Sequence, residues 1–286
     1  MRYKVANHLF EVVLPSETNA ERLLPSFRPF TCKDEDEIGP LLFLFDTTTP
    51  YPREEGVLIE ESENDMGHIT IWQTIQGYRI EARHTVGNKS HAMMTDRAFR
   101  TIRASIQWDD EYAPQILCSM LRIAFSQALL REDGIGIHAS AVGHNGKCFL
   151  FLGKSGTGKS THASLWLQHV EKSELINDDN PAIRIQDDIA YAYGTPWSGK
   201  TPCYKNMGMP IAKITRLQQA PANSHRRLSD TEAFIALLPS CSVIKQDKTL
   251  YETLCDKLAW LTEHICIAYL ECLPDKEAVV LNKDTF

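Results

Sequence analysis

The sequence predicts an α/β nucleotide-binding domain preceded by a β-rich N-terminal domain, and three observations carry that prediction. The first is a complete phosphate-loop pattern, G-x-x-x-x-G-K-[ST], at Gly153-Lys154-Ser155-Gly156-Thr157-Gly158-Lys159-Ser160. The second is its setting. Cys148 to Leu152 is an apolar run of strand length and Thr161 to Val170 reads as a helix, so strand, loop and helix follow in the required order. The third is a change of character near Asp109 to Ala113, before which short strand-like runs dominate and after which helical spacing first appears.

A chain of 286 residues with 43% hydrophobic side chains can hold one large domain or two ordinary ones with proper cores, and two are expected. The boundary is expected near residue 110, giving a β-rich domain over 1–110 and a nucleotide-binding domain over 111–286. Thirty basic and 37 acidic residues leave a net charge of -7, which argues against nucleic acid or an anionic membrane as a general partner. The eight cysteines contain no C-x-x-C pair, against a zinc or redox motif and in keeping with a reducing cytoplasm. Met1 to Leu14 lacks the apolar core of a signal peptide, and no stretch approaches the roughly 20 apolar residues of a membrane span. A cytoplasmic protein is expected, and a homo-oligomer is compatible with this reading.

In chain order, strand composition marks Tyr3 to Val13, Leu41 to Asp46, Val57 to Glu61, His68 to Ile75, Tyr78 to His84 and Phe99 to Trp108. Gln76-Gly77 and Gly87-Asn88 suit hairpin turns. The acidic stretches Asp34 to Glu37 and Glu60 to Asp65 lack ligand spacing and read as solvated loops. Pro114 to Leu130 carries apolar residues at helical spacing, ended by Gly134. Ile135 to Val142 is the next strand, turning at His144-Asn145-Gly146 into the strand that feeds the phosphate loop. A strand opening at Leu175-Ile176 ends in Asn177-Asp178-Asp179, and Ala182 to Ile185 pairs with Ala190 to Tyr193 around Gln186-Asp187-Asp188. Gly194 to Pro210 reads as a long loop, Ile211 to Leu217 as a strand and Gln218 to Arg227 as a polar loop. Ser229 to Glu232 is a capping box before a helix over Ala233 to Leu238, and Leu250 to Ile265 is a second amphipathic helix. Cys266 to Leu270 and Ala278 to Leu281 read as two closing strands.

In a phosphate loop, glycines let successive backbone N–H groups turn around the phosphates, the lysine adds a point charge, and the following hydroxyl ligates Mg²⁺. The nucleotide-binding set is therefore Gly153, Ser155, Gly156, Thr157, Gly158, Lys159, Ser160 and Thr161, with Ser160 also on the metal. Asp178 and Asp179 follow Lys159 by one helix plus a return strand, which lets loop and acidic pair meet at one sheet edge. Two adjacent carboxylates there divide the labour between holding a metal and accepting a proton from an attacking hydroxyl. His138 is one hairpin upstream and is expected near the transferred group. Lys200, between Gly199 and Thr201 in the long loop, is the best placed of three nearby cations, ahead of Lys205 and Arg216, to stabilise developing charge. Trp197 reads either as a cover for a ligand or as packing.

Gly136-Ile137-His138-Ala139-Ser140, then Phe151 to Ser160, then Ile176-Asn177-Asp178-Asp179 resembles the kinase domain of HPr kinase/phosphorylase and its relatives in order and approximate spacing. The resemblance covers Ile135 to about Ile185. It implies a nucleotide-binding core of the phosphoenolpyruvate carboxykinase type, ATP and Mg²⁺ as cofactors, and phosphoryl transfer to a serine-type hydroxyl. By position it implies Lys159 and Ser160 on phosphate and Mg²⁺, Asp178 as general base, Asp179 as metal or hydrogen-bond partner, and His138 in the site. Thr161 stands where the HPr enzymes carry glutamate, and Gly194 to Lys200 looks like the segment in uncharacterised HPr-kinase-related proteins. The expected activity is a phosphotransferase whose acceptor is a protein, peptide or small molecule. The alternative is a non-catalytic ATP-binding regulator whose β-rich domain contacts a partner. Carboxykinase-like chemistry would need further metal-ligating histidine and lysine positions, which the sequence does not place.

Overall fold

Eight strands form the first part of the chain, in a computed structural model that describes residues 1–32, 39–51, 54–64, 67–199 and 201–284. They are β1 (Arg2–Val5), β2 (His8–Val13), β3 (Leu41–Asp46), β4 (Val57–Asn64), β5 (Gly67–Gln73), β6 (Gly77–Arg83), β7 (His91–Asp96) and β8 (Thr101–Ser105). One sheet contains them all, in the order β1-β2-β3-β8-β7-β6-β5-β4. The run Tyr3 to Val13, expected as one strand, is a hairpin because Ala6 and Asn7 take φ of 49° and 61°, the geometry of a two-residue turn. β7 was not expected. Its inward residues are His91, Met93 and Thr95, so burial alternates where hydrophobicity does not.

After a short helix α1 (Ala20–Leu23), the long helix α2 (Ala113–Arg131) covers this sheet. Phe125 of α2 lies 6.1 Å from Phe10, whose ring stacks on Phe43 at 4.6 Å. Packing thus assigns α2 to a first unit, Met1–Glu132 with Val243–Tyr251, and starts the second at Asp133. The sequence reading placed the division before this helix, near residue 110. A helix buried on nearly every turn belongs with the core that covers it, and hydrophobic spacing alone does not say which core that is. By length and composition α2 is also long and apolar enough to cross a membrane, closer to spanning length than the sequence reading allowed, and most of it is buried. The returning segment is tied down by the Tyr78 hydroxyl, which donates to Asp247.

The second unit, Asp133–Ser242 with Glu252–Phe286, holds β9 (Gly134–Gly136), β10 (Ala139–His144), β11 (Lys147–Leu152), α3 (Lys159–His169), β12 (Ser173–Asp179), β13 (Ala182–Gln186), β14 (Ile189–Tyr193), β15 (Gly208–Gln219), β16 (Ser224–Arg227), α4 (Asp230–Leu237), the end of α5 (Lys248–His264), β17 (Cys266–Cys272) and α6 (Lys276–Asp284). β15 joins two wings of one sheet. Its first residues pair with β14, and Ile211 onward pairs with β11 and β17. Ile135 to Val142, expected as one strand, is split between wings: β9 pairs with β13, β10 pairs with β11 and β12, and Ile137-His138 is the crossing. The chain crosses back at Asn180-Pro181. Both crossings meet, since Ile137 N–H donates to the Pro181 carbonyl at 3.2 Å.

Two closing elements differ from expectation. Ala278 to Leu281 is helical, not a strand. Asp275 accepts the Ala278 N–H at 2.8 Å as a cap, and Ala278, Val279 and Asn282 face inward at helical spacing, which overrides the β preference of the Val279-Val280 pair. Ser224 to Arg227, expected in a loop, adds β16 to the edge beside β17. The core under α3 joins Val142, Phe151, Ala163, Trp166, Leu217 and Val279. Removing the Trp166 ring alone would cost about 3–5 kcal/mol, so the helix behind the phosphate loop is firmly anchored.

Candidate functional site

The loop between β11 and α3 is shaped by its own glycines. Gly156 and Gly158 adopt φ of 79° and 104°, open to glycine and strained for other residues, and Gly158 is the N-cap of α3. Thr157 closes the turn by donating its N–H and hydroxyl to the Lys154 carbonyl, at 3.1 and 2.7 Å. The first N–H groups of α3, from Lys159 to Thr161, have no partner within the helix, and the helix dipole favours negative charge beside them. Lys159 curls back so that its ammonium donates to the carbonyls of Gly153 and Lys154, at 2.9 and 3.3 Å. Ser160 and Thr161 are exposed at the helix start.

Strand register brings the acids to this loop. β11 and β12 are each antiparallel to β10 and flank it, so their carboxyl ends share one edge, and Leu152 and Asp179 both oppose Ala139. Ser140 opposes Asp178 and donates its hydroxyl to Asp178 Oδ1 at 2.6 Å. Asp178 is only 3% exposed, and its Oδ2 has no hydrogen-bond partner. Asp179 is engaged differently: His138 Nδ1 lies 3.0 Å from its Oδ1, and Asn180 Nδ2 donates to its Oδ2 at 2.6 Å. Burial pulls the Lys159 ammonium below the ordinary lysine range, Asp179 and Asp178 push it back up, and Arg216 pulls it down again. His138, Lys159, Asp178, Asp179 and Arg216 therefore form one electrostatic cluster. Arg216 reaches it by register, directly opposite Leu152, the last strand residue before the loop.

Beneath the acids, fully buried Asn177 is a fastener. Its amide donates to the Thr195 and Trp197 carbonyls, both at 3.2 Å, and its Oδ1 accepts from the N–H groups of Asp179 and Asn180. The segment after β14 is thereby locked against the acidic pair, with Gly199 N–H donating to the Asp178 carbonyl at 2.7 Å. A side chain at Gly199 would meet that same carbonyl at 2.6 Å. Trp197 is 6% exposed and belongs to the packing. Lys200 lies outside the described residues. Lys205 is not at the site: its ammonium pairs with Glu174 at 2.6 Å, and Glu174 is five residues from Asp179 along β12, roughly 16 Å at strand rise.

A cavity of about 650 Å³ opens beside the loop, with Thr157, Gly158 and Thr161 on one side and Leu165, Leu217 and Cys272 on another. Gln219 at its rim donates to the Gly156 carbonyl at 3.2 Å. Behind it, His162 is buried and held neutral: its Nε2 lies 3.2 Å from the Trp166 indole N–H and 3.1 Å from the Asn282 amide, and burial pulls its pKa down to about 4. Among the described residues no three His, Cys, Asp or Glu side chains converge as a metal cluster.

Sequence reasoning gave no role to Ser140, Asn177 or Thr195. Ser140 sits in a strand whose other residues are mostly apolar, and a polar residue inside such a run is a local signal; Asn177, among the polar residues that end its strand, carries none.

No protein-family model matches the chain, and no curated protein sequence matches it either. Among solved structures the chain is similar to the HPr(Ser) kinase/phosphatase from Coxiella burnetii, with 10% identity, a TM-score of 0.31, and coverage of 52% of this chain and 86% of that one. At that level the chemistry has to be argued from this chain's own residues.

Proposed function

We propose that the second unit is an ATP- and Mg²⁺-dependent phosphotransferase that moves a phosphoryl group to a hydroxyl on a protein, peptide or small molecule. The observation that carries the reading is the bare Oδ2 of Asp178, a buried carboxylate oxygen with no donor, on the strand edge that also carries the phosphate loop. An unsatisfied buried charge is costly and is retained where a ligand or a proton relieves it. An acceptor hydroxyl donating to Oδ2 would be held and deprotonated there, while Ser140 fixes the other oxygen.

The residues fit a triphosphate and its metal. The loop offers backbone N–H groups and the Lys159 charge to phosphate, and the apolar cavity beside Thr161 suits the base. Mg²⁺ binds through one or two protein oxygens plus phosphates and water, so exposed Ser160 with Asp179 is a sufficient set, and the ion would neutralise charge on the transferred group. His138 holds Asp179 in place through their 3.0 Å contact. Lys200, proposed from the sequence alone, is assigned the charge developing on the transferred group.

Incubation with γ-labelled ATP and fractionated lysate tests this reading directly. Label is expected to enter a protein, peptide or metabolite with the parent protein and not with Asp178→Asn, which should still bind Mg-ATP by calorimetry. Undiminished transfer by Asp178→Asn removes the base, and nucleotide binding without any transfer leaves a regulator.

A further inference from the structure

The first unit has a second built site, formed around a buried cation whose Nε–H has no hydrogen-bond partner. Arg79 lies on β6 and is 7% exposed. Its neighbours on the core side, Tyr78 and Ile80, are fully buried, so alternation puts Arg79 on the opposite face of the sheet. There it stands directly across from Trp72 of β5, and its guanidinium carbon lies 4.0 Å from the centre of the Trp72 ring. Glu81 is the other charge at hand, with Oε1 3.7 Å from Arg79 Nε, too long for a hydrogen bond. The Nε–H is buried with no partner.

This side chain borders a cavity of about 560 Å³ over the sheet face. The far wall is the segment after β3, and it is fixed: the Thr47 hydroxyl donates to the Val13 carbonyl at 2.8 Å, and Asp46 accepts the Thr48 N–H and hydroxyl, both at 2.7 Å. Ser90, Gln107 and Glu81 make the polar floor, while Ala92, Ala104 and Ile106 are apolar. A nearly buried guanidinium over an aromatic ring, with its Nε–H unpartnered and a cavity beside it, is preorganised for a planar oxyanion.

We propose that this cavity binds an organic monocarboxylate, with the carboxylate on Arg79 and the apolar remainder against Ala92, Ala104 and Ile106. A phosphate is disfavoured by charge. Among the described residues Arg79 is the only Lys, Arg or His lining the cavity, and Glu81 stands beside it, so a dianion meets one cation and one carboxylate. The assignment does not depend on the phosphotransferase reading.

The test uses the full chain, with benzoate and phenylacetate as probes, their neutral amides as controls, and inorganic phosphate, by calorimetry. Carboxylate is expected to bind at least about tenfold more tightly than amide or phosphate. Arg79→Gln should remove that preference, and Arg79→Lys should keep the charge while binding more weakly, because the fork geometry is lost. Thermal unfolding of Arg79→Gln separates binding from bracing: a midpoint equal to or above that of the parent is expected, since an unrelieved buried charge is removed. The proposal is overturned if carboxylates and amides bind alike, if no carboxylate binds more tightly than about 10 mM, or if Arg79→Gln binds carboxylate as the parent does. A clear drop in its unfolding temperature would make Arg79 a structural brace, and Arg79→Lys answers the binding question should the glutamine variant fail to fold.

Discussion

Each unit buries a cation at its site, and the two are treated in opposite ways. In the second unit Lys159 donates to two loop carbonyls, and although burial pulls its ammonium below the ordinary lysine range, Asp179 and Asp178 oppose that shift. In the first, Arg79 rests on an aromatic ring with a single carboxylate beyond hydrogen-bond range. A satisfied cation contributes to the shape of its own loop, whereas an unsatisfied one costs stability until a ligand arrives. In the second unit the unsatisfied group is instead an anion, Asp178, so the deficit of each site names the kind of ligand that completes it.

The largest expected effect tests the satisfied cation. Lys159→Ala should abolish Mg-ATP binding, a loss of more than about 100-fold by calorimetry. It should also lower the unfolding temperature by removing the two bonds to Gly153 and Lys154, where Arg79→Gln should not. Equal thermal behaviour of the two variants would erase the contrast. Next comes Asp178→Asn, expected to cost about 10²–10⁴ in turnover with nucleotide affinity kept; a variant that loses binding instead would move Asp178 from proton acceptor to metal ligand.

A third expectation concerns a group satisfied only when neutral. The folded pKa of His162, about 4, lies below the ordinary 6.5, so the unfolded chain takes up the proton first as pH falls. Stability is full above pH 6.5 and declines toward pH 4, by about 3 kcal/mol at most from this residue. Thermal melts across that window should show the slope, and His162→Gln should flatten it. The smallest effect is assigned to Lys200→Ala, about tenfold in turnover with little change in nucleotide affinity; equal activity in variant and parent would take Lys200 out of the site.

What could be read in advance differs by kind of residue. Gly156, Gly158 and Lys159 act within a few residues of chain, so a local pattern specifies them. Arg216 and Ser140 act through cross-strand register, and no spacing along the chain encodes that Leu152 opposes Arg216 or that Ser140 opposes Asp178. Lys205 shows the reverse error. Closeness in sequence to Lys200 suggested a shared role, yet its partner is Glu174. Arg79 carries no local signal, because a polar residue in an alternating strand reads as solvent-facing, and its burial against Trp72 and beside the cavity is a property of the packed sheet.

By itself the sequence determined the strand–loop–helix order around Gly153 to Ser160, the strand-rich character of the first hundred residues, and the helical or extended state of most segments, because these follow from local backbone freedom and hydrophobic period. It could not divide the chain at Glu132 instead of residue 110, turn Ala278 to Leu281 into a helix, or break Ile135 to Val142 at His138. Those outcomes depend on which surface covers α2 and α6 and on the place where two wings of a sheet exchange the chain. Burial and register are properties of the packed molecule, and they decide which oxygen of Asp178 is left without a partner and which cation is left bare.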